Sequence, residues 1–107
     1  MTNAIVITPS GEVREVDLGT DSLRGLYAAI GCSAVEVVQL AADLDMWVDE
    51  EGLLTSEPQP NRVASQFAFE CGTSPVTYVG SAVFTGRRGG DTTSIPEAWR
   101  SKLLALA

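Results

Sequence analysis

Histidine is absent from the 107 residues. Its absence removes His-based triads, Cys–His pairs, zincin motifs and the usual proton shuttle near neutral pH. Basic residues are few: seven Lys and Arg stand against fourteen Asp and Glu, for a net charge of −7. That balance makes direct nucleic-acid binding or attachment to an anionic membrane an unfavoured role, since both reward cations. It leaves a basic protein partner, a cation, or imitation of a polyanion, and it also serves solubility. Only two cysteines occur, Cys32 and Cys71, with neither CxxC nor metal-ligand spacing. Each stands beside a glycine near an expected helix end and reads as a small buried thiol of a reducing compartment, a redox pair only if the fold joins them. No GxxxxGK(S/T) loop and no GxGxxG fingerprint are present. No run approaches the roughly 20 apolar residues of a membrane span. Met1-Thr2-Asn3 lacks a basic region and Ala4–Ile7 is too short for a signal peptide, so the expectation is a cytoplasmic protein without a membrane role.

What is present describes one α+β domain. A hydrophobic fraction of 45% with 20% charged residues is ordinary for a folded chain. Ala4–Thr8 and the alternating Val13–Leu18, joined by Pro9-Ser10-Gly11-Glu12, predict a β-hairpin. Asp21–Ile30 carries Leu23, Leu26, Tyr27 and Ile30 at helical spacing, with Thr20 or Asp21 as cap, Gly31 as stop and Gly25 as a weak point. Ala34–Leu40 and the short Met46–Val48 predict two strands. They are followed by the turn Asp49-Glu50-Glu51-Gly52, where Gly suits a positive φ, and Leu53 and Leu54 could continue the sheet. Ser56–Pro60, with its two prolines, predicts a loop. Asn61 caps a helix to about Glu70 with Val63, Ala64, Phe67 and Ala68 inward, and Gly72 ends it. Pro75–Thr85 is the longest strand candidate. Residues 87–93 read as a flexible link, and Ser94-Ile95-Pro96-Glu97 as a capping box opening a last helix with the stripe Ile95, Trp99, Leu103 and Leu106. The expectation is a mixed, mostly antiparallel sheet of about four to five strands with two helices on one face and a C-terminal helix. The domain would span 1–86, with 94–107 packing on it or on a partner subunit.

The densest chemical feature is acidic: Asp43, Asp45, Asp49, Glu50, Glu51 and Glu57 within fifteen positions. A Ca²⁺ loop requires oxygen ligands at its first, third and fifth positions and Gly at the sixth, whereas counting from Asp43 places Trp47 fifth and Val48 sixth. A two-carboxylate hydrolase requires acids opposed across a cleft, which a turn does not offer. No catalytic residue, metal site or cofactor is assigned. The run is a solvated edge or a docking surface, with Trp47, Asp49, Glu50 and Glu51 as candidates for a basic partner, although Trp47 reads more readily as a core side chain on a short strand. Arg62, Arg87 and Arg88 are candidates for holding a small anion, the latter two beside Gly89-Gly90. Trp99, Leu103 and Leu106 either pack on the core or bury against a second copy in a homodimer.

Ile30–Leu40, then Val48-Asp49-Glu50-Glu51-Gly52-Leu53 and Pro60–Ser65, and last Val79–Gly86, follow one another in an order that resembles a family of small uncharacterised proteins, domains of unknown function found in bacteriophages, plasmids and actinobacterial genomes. The resemblance spans about Ala4 to Gly86 and leaves the last helix outside. It implies a mobile-element accessory protein and transfers no catalytic residue. Three functions are therefore weighed: a non-catalytic accessory or counter-defence protein that binds a host protein through its acidic surface, a protein that sequesters a small anionic ligand or nucleotide, and a metal-dependent enzyme using the acidic run.

Overall fold

The computed structural model describes residues 2–54 and 57–107. The N-terminal hairpin forms as expected: β1 (Asn3–Ile7) pairs β2 (Val13–Asp17), and Gly11 N–H donates to Thr8 O across its turn at 2.9 Å. α1 (Ser22–Ile30) starts where the Asp21 carboxylate accepts the Arg24 amide at 3.2 Å and stops at left-handed Gly31. β3 (Val35–Ala41) and β4 (Leu44–Asp49) make a second hairpin, a 3₁₀ turn follows at Gly52–Leu54, and α2 (Arg62–Glu70) begins at the Asn61 cap. β5 (Ala82–Arg88), β6 (Asp91–Thr93) and α3 (Glu97–Leu104) complete the α+β fold.

Every strand pairing is antiparallel, in the order β2-β1-β5-β4-β3. β5 is the spine because Ala82–Gly86 is buried on both faces. It also carries β6, which takes over the β1 side of β5 beyond the point where β1 begins. There the Ser94 hydroxyl accepts the Asn3 amide at 2.9 Å and Ile95 N–H donates to Asn3 O at 2.8 Å.

Alternating side chains build two cores, so the helices do not share one face. Ile5, Ile7, Met46 and Phe84 face α2 and α3, whereas Ala4, Val6, Val83 and half-buried Trp47 face Leu26, Ala29 and Ile30 of α1. Leu23, expected inward, is exposed. Gly25 is needed rather than merely tolerated: a Cβ there would stand 2.1 Å from Leu18 O, so the helix lies directly on the chain leaving β2.

Several expectations are corrected by long-range partners. Pro75–Thr85 is not one strand: β5 begins only at Ala82. The stretch before it serves α2 instead, with Asn61 N–H donating to Tyr78 O at 2.8 Å, Gly80 N–H to Gln59 O at 2.9 Å and Tyr78 N–H to Ser65 Oγ at 2.8 Å. Residues 87–93 are not a link but the end of β5, a turn and β6. The capping box is unmade: Ser94 is engaged by Asn3, α3 has Pro96 at its N-cap, and the Glu97 carboxylate accepts the Ser101 hydroxyl at 2.8 Å. Leu53 and Leu54 leave the sheet for the 3₁₀ turn. Of the Ser56–Pro60 loop, Ser56 lies outside the described residues, and Pro60 makes an isolated bridge to Val79.

Candidate functional site

The acidic turn leaves the sheet at the end of β4, where Asp49 pairs Val35 of β3 and the pairing with β5 has already stopped at Trp47. Among the described residues its backbone is held where Glu50 N–H donates to Ala34 O at 3.0 Å, Glu51 N–H to Asp49 Oδ1 at 2.9 Å and Leu54 N–H to Glu51 O at 2.9 Å. Gly52 does not adopt a positive φ, contrary to expectation. It is buried because Val79 lies against it, and a Cβ would meet Val79 Cγ2 at 2.6 Å. The side chain at 52 is therefore excluded, and those at 53 and 54 are thrown outward. Leu53 is 73% and Leu54 79% exposed.

Two adjacent leucines held in water on an ordered turn are the feature that residue-by-residue reading missed. The signal was available: they follow three carboxylates and precede a proline-rich stretch, with no periodic partner on either side. Among the described residues no basic side chain pairs with Glu50 or Glu51. Beside Leu53 runs a cleft of about 270 Å³ with apolar walls from Val38, Val48 and Val76 and carboxylates from Glu36 and Glu50. Apolar walls ending in carboxylates suit the stem and head of a lysine or arginine.

Trp47 does not join this surface. It lies half-buried in the α1-side core, and its indole N–H donates to Thr85 Oγ1 at 2.9 Å, which satisfies buried Thr85. Asp43 and Asp45 are diverted as well. Asp43 Oδ1 accepts the Trp99 indole N–H at 2.9 Å, and Asp45 is buried against the Arg87 guanidinium. Burial pushes the Asp45 carboxyl up, against the opposing pull of Arg87. Among the described residues no three acids, cysteines or histidines converge to hold a metal ion.

The three candidate anion-binding arginines separate. Arg87 is occupied by Asp45 and by the carbonyls of Ala41 and Ala42, at 2.7 and 2.9 Å, so it fastens β5 to the β3–β4 turn. Arg88 ends β5 in solvent, and Arg62 opens α2 in a groove lined by neither of the other two. The C-terminal candidates also divide. Leu103 is fully buried within the monomer and offers no surface to a second copy. Trp99 packs edge-on to Phe67, with centroids 6.2 Å apart, and carries Lys102 over its ring at 5.4 Å. Leu106 alone of the three is exposed.

Both cysteines are free and half-buried, and burial pushes both thiols up, away from reactive thiolate. Cys71 packs on the α2–α3 core, whereas Cys32 borders a cleft with Asp49, Glu51 and Leu54. Among the described residues no helix is long and apolar enough to cross a membrane.

A family model described as a domain of unknown function, DUF3846, matches residues 1–106, so the family likeness includes the last helix. No curated protein and no solved structure gives a significant match.

Proposed function

We propose, from the premise that the chain belongs to the DUF3846 family, that it is a non-catalytic accessory protein of a phage or mobile element. It acts in a bacterial cytoplasm by binding a basic host protein through the turn 49–54. The observation that carries this reading is the pair Leu53 and Leu54, 73% and 79% exposed beside Asp49, Glu50 and Glu51 on a hydrogen-bonded backbone. Each leucine covered by a partner contributes about 1.5–3 kcal/mol. The unpaired carboxylates attract a basic surface and set orientation more than they add affinity. A pre-ordered turn loses little conformational freedom on docking. The mobile-element setting rests on the order of sequence motifs from Ile30 to Gly86.

The test compares the wild-type protein with L53S/L54S, first in capture from a bacterial host and then by calorimetry against the purified captured protein. The leucines contact little of the core, so the variant should keep its urea midpoint. Its affinity should fall at least about 100-fold, the equivalent of roughly 2.7 kcal/mol. A partner held equally by both proteins, or no saturable partner at all, would sink the reading.

A further inference from the structure

We infer a second binding site, for a small molecule that carries a phosphate or carboxylate at one end and an aromatic or aliphatic body at the other. It lies in the groove of about 600 Å³ between α2 and residues 75–77. One wall is a single face of α2: Arg62, Ser65, Gln66 and Phe69 stand at the spacing i, i+3, i+4, i+7. The opposite wall is Pro75, Val76 and Thr77. Phe69 and Val76 are each 50% exposed, although Phe67 of the same helix is buried in the core.

Charge decides which occupant fits. The molecule carries −7 overall, yet this groove has one guanidinium and no carboxylate in its lining. Four other clefts all include Asp or Glu. Arg62 has no hydrogen-bond or ion-pair partner among the described residues, unlike Arg87 and Arg100, which are held by Asp45 and Glu15. As the first residue of α2 it also stands at the positive end of that helix. A guanidinium grips phosphate or carboxylate with paired N–H donors. Phe69 lies seven residues along, about 10 Å at 1.5 Å per residue, within reach of the body of a ligand whose anion is on Arg62. Ser65 Oγ is engaged already, donating to Asn61 O at 2.7 Å and accepting the Tyr78 amide at 2.8 Å, so it fixes the groove rather than recognising the ligand. Val76 and Thr77 also wall the cleft beside Leu53, so the two sites adjoin, but Arg62 and Phe69 line this groove and not that cleft, and each inference stands if the other fails.

The experiment is a ¹H–¹⁵N correlation titration of the full chain with phenyl phosphate, with inorganic phosphate as the parallel arm. Saturable shifts confined to 62–69 and 75–77, with Kd at or below about 1 mM, are expected for phenyl phosphate. Inorganic phosphate should bind at least tenfold more weakly, about 1.4 kcal/mol, because it lacks the ring that covers Phe69 and Val76. R62A and F69A, both exposed positions, should each weaken phenyl phosphate about tenfold, R62K should recover part of the loss, and L53S/L54S should change nothing. The site is refuted by shifts that do not saturate, that map elsewhere, or that survive R62A. Equal binding of the two probes refutes the amphiphilic ligand. Self-association that depends on protein concentration and vanishes in F69A but not R62A would show instead that a second copy covers the groove.

Discussion

Replacing Asn61 by alanine strikes the point where the sheet, α2 and the stretch before β5 are tied together. Its side chain is completely buried and makes three hydrogen bonds: Nδ2 donates to Ile7 O and to Gly80 O, each at 2.9 Å, and Oδ1 accepts the Ala64 amide at 3.1 Å. Loss of a helix N-cap costs about 1 kcal/mol. The buried Ile7 carbonyl loses its donor at roughly 1–3 kcal/mol, and the part-buried Gly80 carbonyl at about 1 kcal/mol. The sum is about 3–5 kcal/mol, against a total stability on the order of 5–15 kcal/mol for a chain of this size. With a urea slope of about 2 kcal/mol per molar, the midpoint should fall by roughly 2 M. Asn61→Asp separates the roles, for it keeps the acceptor for Ala64 but turns an oxygen toward two carbonyl oxygens. Its folded pKa is then raised, so the variant recovers stability as pH falls through that value and loses it as pH rises. Urea unfolding followed by circular dichroism across pH reads both variants. A loss below about 1 kcal/mol for N61A would refute the claim that this side chain joins the three segments.

Three further outcomes follow from close contacts. Gly25→Ala gains about 1 kcal/mol of helix propensity, yet the Cβ would stand 2.1 Å from Leu18 O, so a net loss of about 1–3 kcal/mol is expected; a raised urea midpoint would contradict the close approach of α1. Arg87→Met leaves the buried Asp45 carboxylate unpaired and should cost about 3 kcal/mol at pH 7. Because the Asp45 pKa is raised, that deficit should shrink as pH falls through the folded-state pKa, and a pH-independent deficit would count against the pairing. The Arg100 guanidinium holds the Glu15 carboxyl below its usual value, with N–O distances of 2.9 and 3.0 Å. This link of α3 to β2 is present above the unfolded-state pKa of Glu15 and fades as pH falls through the folded one. NMR titration should show the Glu15 pKa rising in R100A, and an unchanged value would disprove the pairing.

Local physics made much of the fold legible. β-Branched runs marked β1 and β3, alternation marked β2, and the caps Asp21 and Asn61 with the stop Gly31 marked two helices. The errors share one cause, a local signal overruled by a distant partner. Tyr78 and Gly80 look like strand residues, but their backbone groups go to residues 59–65. Ser94 looks like a helix cap, but its hydroxyl is claimed by Asn3 from the other end of the chain. Arg87 looks free beside two glycines until the fold sets Asp45 against it. The acidic turn was legible as the place to look, but Trp47 was not separable from it by sequence alone. Adjacent on the strand, Trp47 and Val48 point to opposite faces, and only the pairing of β4 with β5 decides which core receives the indole. Leu53 and Leu54 were legible only as apolar residues, which composition assigns to a core by default.

A photo-crosslinking residue at position 53, introduced into the full chain in a bacterial host, tests the docking turn most directly. The expected result is one discrete covalent adduct with a host protein, competed by excess wild-type protein and lost when Glu50 and Glu51 are both changed to lysine. The same label at exposed Leu23 on α1 should give none. Adducts equally abundant and unaltered by charge reversal, or no competed adduct at position 53, would contradict the assignment of this turn as the surface through which the protein works.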